Sequence, residues 1–383
     1  MQKIIKVAQA RSPDEILSQM EFDAVFLKEL FIEAKREGAS DIYITPYQNP
    51  ETWEIDIEVN FLIHDEKEIY QRIEADDLFR KAISNKLKLL SRCDLSTTEK
   101  MQDRAFSLKT TKTRYRLAVN ATEFGEAFVL RPIDSKIPQI SDCHLHPSTE
   151  KDFLSAICQK KGLIVITGPT GSGKSTTLQA GIMSLPRQRK EVIAIEDPVE
   201  RVVPFVKHIP VTGSVGWKDA IKSALRSKPH VILIGEIRDT ESASLALEAA
   251  NTGHLVLSTL HTNSVAGTVD RLFEMGVRRS VLADNLLFAT GQELRQKICK
   301  KCRIKGNLGY FRGSGCDACR GRGITGLIPL VEYCYRPNRD SIVNFNMKDF
   351  EEKELKVSFE SESLRMVKEG MIDEKELNRF ERG

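Results

Sequence analysis

The chain has 383 residues, enough for two or three domains with a sizeable core. With 41% hydrophobic and 29% charged residues it has the composition of an ordinary folded protein, and a net charge of +3 is too mild to single out nucleic acid as a partner. No apolar run approaches the roughly 20 residues that cross a bilayer, and the apolar part of "MQKIIKVAQA" is too short for a signal peptide, so the expectation is a cytoplasmic protein that reaches membranes only through partners.

Residues 1–20 read as an N-terminal extension. "EFDAVFLKELFIEAKRE" (21–37) has helical period, and "DIYITPY" follows as a short strand before a turn at "QNPE". "TWEIDIEVNFLIH" alternates at period two, with Trp53, Ile55, Ile57 and Val59 on one face and Glu54, Asp56, Glu58 and Asn60 on the other. "DDLFRKAISNKLKLLSRC" returns to helical period, and "RAFSL", "RYRLAVNA" and "EAFVLRPI" read as three more strands. Residues 21–135 thus predict a small α+β domain with an antiparallel sheet. Residues 136–150 break both periods and read as a linker.

The pattern then changes. "GLIVITG", "EVIAIED", "HVILIGE" and "GHLVLSTL" are nearly continuous apolar runs, separated by the helical stretches "KSTTLQAGIMSL", "WKDAIKSALRS" and "TESASLALEAANTG". Strands apolar on both faces alternating with helices predict a parallel sheet covered on both sides.

Residues 168–176, "GPTGSGKST", fit G-x-x-x-x-G-K-[ST] directly after a strand and at the start of a helix. Gly168, Pro169, Thr170, Gly171, Ser172, Gly173, Lys174, Ser175 and Thr176 are therefore the candidate phosphate cradle. Backbone N–H groups and the helix N-terminus supply positive potential. Lys174 is placed to reach the β- and γ-phosphates of ATP, and Ser175 to ligate Mg²⁺. Ligands in such sheets sit at the carboxyl ends of strands, so Glu196, Asp197, Glu200 and Glu236 should converge there. One carboxylate must help hold Mg²⁺ and one must orient or deprotonate water. Chemistry alone does not choose between Glu200 and Glu236 as base. His261 falls at the same edge, whereas His254 begins its strand at the opposite one, where a histidine usually packs or caps.

Of eight cysteines, Cys93, Cys143, Cys158 and Cys334 show no partner pattern. Cys299/Cys302 and Cys316/Cys319 form two Cys-x-x-Cys pairs around a short basic loop, a spacing that favours metal over disulfides in a reducing compartment.

In sum the residues resemble one family: the ring-forming ATPases of type II secretion and type IV pilus assembly. "GASDIYI" resembles its opening motif, "RYRLAVNATEFGEAFVLRPID" the strands leading to its arginine motif, "GPTGSGKSTTL" its phosphate loop, "IEDPVE" its aspartate box, "LIGEIRD" its Walker B box and "TGHLVLSTLHTN" its histidine box. The resemblance covers about residues 35–335. It implies an α/β fold: a RecA-like ATPase core (151–298) with a parallel sheet, preceded by a small α+β, PAS-like domain (21–135). A zinc-binding subdomain (299–323) and a C-terminal helical subdomain (324–383) follow. It implies that Glu200 activates water, Glu236 serves the Mg²⁺ site, His261 senses the γ-phosphate, and Arg116 and Arg131 reach the nucleotide from the N-terminal domain. Assembly and secretion motors of the family carry the four-cysteine insertion and retraction motors lack it. Cys299, Cys302, Cys316 and Cys319 would then hold a structural Zn²⁺ with no open position.

The expected protein is a homohexameric, cytoplasmic motor, peripheral at the inner membrane, that hydrolyses ATP to assemble a type IV pilus through an integral platform protein. A type II secretion motor is the alternative, ahead of a retraction motor, a nucleic-acid translocase or a nucleotide-gated scaffold; no nucleic acid is expected as partner. "CRGRG" also resembles knuckles that bind protein or nucleic acid, so that motif does not name a partner. Departures from the family pattern are Tyr43 in place of histidine, "LRSKPH" in place of "LRQDPD", and no arginine in "GLIPLVEY". The short N-terminus leads one to expect no extra docking domain.

Overall fold

The structure, a computed structural model, describes residues 22–97, 101–134, 137–199, 201–211 and 215–379, together with Pro13. The expected extension 1–20 otherwise lies outside the described residues. The chain divides into two compact units, Met1–Ser135 and Lys136–Gly383.

The first unit holds α1 (Phe22–Glu37), β1 (Asp41–Gln48), β2 (Ile55–Ile63), β3 (Glu66–Ile73), α2 (Asp77–Ser91), β4 (Gln102–Leu108), β5 (Thr113–Thr122) and β6 (Gly125–Asp134). Its six strands form one antiparallel sheet in the order β3-β2-β1-β6-β5-β4. Leu27, Leu30, Phe31 and Ala34 of α1 and Ile83, Leu87 and Leu90 of α2 pack on Ile42, Val59, Tyr115 and Leu130 of the sheet. Asp76 starts α2 by accepting from Phe79 N–H (2.7 Å), and Arg92, at φ 58°, ends it.

Two local expectations fail here. Trp53 is not in the strand: it sits at φ 63° in the turn, exposed, with its N–H donated to Asn49 O. Asp56 and Asn60, expected on the wet face, are buried; Asn49 and Glu58 side chains bond them. β3 was not legible, because "EKEIYQRI" lies at a sheet edge with most residues exposed and no clean alternation.

The second unit carries α3 (Pro147–Ile157), β7 (Gly162–Thr167), α4 (Lys174–Met183), β8 (Val192–Glu196), β9 (Lys207–Pro210), α5 (Trp217–Arg226), β10 (Val231–Ile234), α6 (Thr240–Asn251), β11 (Leu255–Leu260), α7 (Val265–Glu274), α8 (Arg279–Asn285) and β12 (Leu286–Ile298). After them come β13 (Ile304–Lys305), β14 (Tyr310–Phe311), β15 (Ile324–Tyr335), α9 (Arg339–Val343), α10 (Met347–Glu354), β16 (Leu355–Val357) and α11 (Phe359–Lys368). The eight-stranded sheet runs β16-β15-β12-β7-β11-β10-β8-β9. The six strands from β12 to β9 are parallel, and β15 and β16 add antiparallel at one edge.

The continuous apolar runs are explained by two cores. Leu163 and Val165 of β7, Ile193 and Ile195 of β8, and Ile232 and Ile234 of β10 enter one cluster with α5, α6 and α7. Their sequence neighbours Ile164, Ile166, Val192, Ala194, Val231 and Leu233 enter the other with α3 and α4. With a side-chain period of two, a strand covered on both sides must be apolar at every position.

Residues within 136–150 are less loose than a linker: Ile140, Cys143 and Leu145 are buried in the second cluster. The stretch 324–383 is not all helical either. β15 pairs with β12 from Phe288↔Tyr335 to Ile298↔Ile324, so residues 299–323 form the tip of a long β-hairpin rooted in the main sheet. That pairing joins segments far apart in sequence and leaves no local signature.

Candidate functional site

The carboxyl ends of the parallel strands meet as the alternation required. β7 ends at Thr167 and enters the glycine-rich loop. There Gly168, Gly171 and Gly173 have φ of 146°, 79° and 83°, values that a side chain resists. A Cβ at Gly168 would strike the Gln292 carbonyl of β12, so the loop lies flat against that strand. Pro169, Thr170 and Gly171 are exposed at its tip, and Ser175 is exposed in the first turn of α4.

Lys174 is buried and donates its Nζ to Gly168 O (2.7 Å) and Pro169 O (2.8 Å). Burial pulls its pKa down to about 8, opposed by the carboxylate of Glu236. Glu236, two residues beyond β10, accepts from Arg238 Nε (2.9 Å) and lies 3.4 Å from His261 Nε2. Arg238 also reaches toward Asp197 at 3.9 Å and lies over the Trp217 ring. Burial, then the charges of Lys174 and Arg238, hold the His261 pKa below its ordinary value despite Glu236. His261 is therefore a neutral ring at neutral pH, able to donate one N–H. The residue before Glu236 must be small: a Cβ at Gly235 would lie 3.1 Å from Ile195 O and 3.3 Å from the Trp217 ring. The glycine thus lets β10 turn off the sheet where the acid is needed.

Glu196 is not available as that acid. It is buried, with His208 Nδ1 at 2.8 Å on one oxygen and Gln179 Nε2 at 3.4 Å on the other. His208 Nε2 accepts from Val203 N–H (3.0 Å), which makes Nδ1 the donor to Glu196. Arg201 donates to Thr176 Oγ1 and Gln179 Oε1, both at 3.2 Å. Glu200 lies outside the described residues. Of the four carboxylates expected to converge, Glu236 lies near Lys174 and His261, Asp197 lies near Arg238, and Glu196 is used to pin the strand end.

His254 caps instead, with its ring against Ala249 O (3.0 Å) at the end of α6. Lys228 and His230 lie at the amino end of β10, away from the phosphate loop; His230 Nδ1 accepts Glu191 N–H at 3.0 Å. In the first unit, Arg116 and Arg131 face each other across β5 and β6. Arg116 pairs with Asp103, and Arg131 Nε donates to Asp41 Oδ1 (2.9 Å) while half its side chain stays exposed. Tyr43 sits near Asp41 and Arg131 on the same sheet, and burial raises its pKa.

At the hairpin tip the sulfurs of Cys299, Cys302, Cys316 and Cys319 lie within 4.8 Å of one another. The Cys299–Cys316, Cys302–Cys319 and Cys316–Cys319 separations are each 3.8 Å. Zn–S bonds of about 2.3 Å in a tetrahedron require sulfurs about 3.8 Å apart, the spacing of these three pairs, so the four thiols suit zinc. Backbone N–H groups of Cys316 and Gly323 point at Cys319 Sγ, both at 3.1 Å. Such donors stabilise a thiolate, as a metal site needs.

Arg238, His208 and Gln292 were not legible as site residues. Arg238 follows Glu236 by two on an irregular segment, and His208 and Gln292 act through contacts made only in the fold.

A glycine-rich loop between strand and helix, a buried lysine and an acid–histidine pair at one sheet edge define a P-loop nucleotide-binding protein with a RecA-like sheet. Residues 18–379 match the family model described as "Type II/IV secretion system protein", and the chain belongs to that family. It is 33% identical over 360 residues to a "Protein transport protein HofB homolog" of Haemophilus influenzae, covering 92% of this chain and 72% of that one. It is 31% identical over 332 residues to "Type IV pilus assembly ATPase PilB" of Pseudomonas aeruginosa, covering 80% and 57%. The crystal structure of "the Pilus Retraction Motor PilT and Bound ADP" superposes with a TM-score of 0.65 at 27% identity, covering 92% and 99%. The chain thus spans little more than half of one curated relative and about three quarters of another. Among the described residues no helix is long and apolar enough to cross a membrane.

Proposed function

We propose that the chain is a subunit of a homohexameric motor that hydrolyses ATP to assemble a type IV pilus, working from the cytoplasmic side through an inner-membrane platform protein. The observation that carries this is the gathering of Lys174, Glu236, Arg238 and His261 beside the glycine-rich loop, in a sheet that also roots the four-thiol hairpin.

In this reading the N–H groups of Gly171 to Thr176 cradle the phosphates, and Lys174 leaves its loop carbonyls for the β- and γ-phosphate oxygens. Ser175 and Glu236 would hold Mg²⁺, which would offset phosphate charge. Glu200 takes a proton from water as that water attacks the γ-phosphorus; the bond to the bridging oxygen breaks, and ADP and phosphate leave. His261, a neutral donor, bonds the γ-phosphate. Arg116 and Arg131 neutralise charge that develops in transfer. Both arginines are already paired with aspartates, so they arrive oriented. Cys299, Cys302, Cys316 and Cys319 would hold a structural zinc, which fixes a loop too small and polar to fold alone. That loop then serves as the docking surface for the platform.

A type II secretion motor is the second reading, favoured by the family's description, which names type II secretion and not the pilus. Deleting the gene in the native bacterium and imaging surface filaments separates them. Filaments lost on deletion, restored by the wild type and not by Lys174→Ala, support pilus assembly. Filaments that persist reject it and direct attention to exported proteins retained in the cell.

A further inference from the structure

Gln292 lies on β12, in the strand that forms the wall behind the glycine-rich loop. It is buried, 1% exposed, and both ends of its carboxamide are hydrogen-bonded. Nε2 donates to Ser172 O (2.6 Å) and Oε1 accepts from Thr177 Oγ1 (3.0 Å). Because a backbone carbonyl can only accept, this orientation of the amide is forced. The contact is close: a Cβ at Gly173 would lie 3.0 Å from Gln292 Nε2.

The consequence follows from the peptide bond. In a trans peptide the C=O and the next N–H point in opposite directions. Holding Ser172 O toward β12 therefore aims Gly173 N–H away from β12, toward the open side of the loop. Glycines at positive φ leave that peptide free to rotate, and nothing in the loop's own sequence fixes it. The second bond, through Thr177, locks the first turn of α4 to the same side chain.

We propose that Gln292 is a positioning residue for nucleotide binding: it sets the orientation of the Ser172–Gly173 peptide so that an N–H faces the phosphate. This rests on the reading of the loop as an ATP site. The residue touches no phosphate itself. It acts before nucleotide arrives, so it contributes to ADP and ATP alike and changes binding more than turnover.

The test uses the full chain, with calorimetric titration of Mg·ADP and steady-state ATP hydrolysis. Gln292→Met, similar in volume, removes both hydrogen bonds. It is expected to weaken ADP about tenfold and raise KM for ATP similarly, with kcat changed by less than about threefold. Gln292→Glu keeps the acceptor for Thr177 but cannot donate to Ser172 O, and is expected to bind at least as weakly. It also carries the measurement if the methionine variant does not fold. Melting temperature is recorded in parallel. Variants that melt lower yet keep the wild-type Kd and KM would show a brace for the sheet only and overturn the inference. Lys174→Ala is the reference: if it too binds ADP like the wild type, the nucleotide reading itself fails. If it loses ADP while both Gln292 variants keep it, only the present inference falls.

Discussion

Raising the pH from 7.5 to 9 should weaken nucleotide binding through one side chain. Lys174 is buried against its own loop, and its pKa is drawn down to about 8. Phosphate oxygens favour the ammonium and raise that pKa again in the complex. Binding therefore selects the charged form, and affinity is highest below pH 8 and falls above it. With a pKa of about 8, roughly three quarters of free chains carry the charge at pH 7.5, and about one in eleven at pH 9. The Kd for Mg·ADP should rise about eightfold over this window, in which phosphate ionisation is already complete. Calorimetry at fixed ionic strength measures it. Lys174→Arg, charged throughout the range, should bind with a flat profile whatever its absolute affinity. A wild-type Kd that does not move, or an arginine variant with the same slope, would refute the reasoning.

Three further outcomes are expected. Purified protein should carry about one zinc per chain by elemental analysis, and Cys316→Ser should lower both the zinc content and the melting temperature; far less than one zinc per chain in the wild type rejects the site. Arg131→Ala should keep Mg·ADP binding within about twofold yet lose hydrolysis by about 10³ or more, and unchanged turnover would remove Arg131 from the mechanism. Arg131 is half exposed but Asp41 is buried, so the melting temperature is measured alongside to separate misfolding from lost chemistry. Glu332 of β15 is buried, and desolvation pushes its carboxyl up to about 7 although it accepts from Val265 N–H (2.6 Å). A raised folded pKa favours the protonated form, so its contribution is intact below about pH 4.5 and lost as pH rises through 7. Glu332→Gln keeps an acceptor for Val265 and should stabilise the chain by about 1–3 kcal/mol at pH 8 and little at pH 5; a lower melting temperature at pH 8 would contradict this.

The local elements were legible because their causes are local. A run such as "GLIVITG" is apolar at every position only if both faces are covered, and "GPTGSGKST" carries in its glycines the φ values that a phosphate loop needs. The Cys-x-x-Cys pairs announced a metal cluster, and the fold brings their four sulfurs within 4.8 Å of one another. β3 escapes the pattern and Trp53 departs from it because an edge strand and a turn residue answer to weak patterns.

What the sequence determined alone is thus the chemistry: a lysine in a glycine-rich loop, acids and a histidine at strand ends, and four thiols in pairs. Tertiary structure decided which of these groups are available. It buried Glu196 against His208 while leaving Glu236 beside Lys174 and His261. It paired β12 with β15, so that the cysteine loop became the tip of a hairpin whose base supports the phosphate loop through Gln292. Spacing along a chain fixes neighbours within a turn or a strand. A hydrogen bond between residues 120 positions apart, like that of Gln292 to Ser172, exists only after the sheet has brought their strands together.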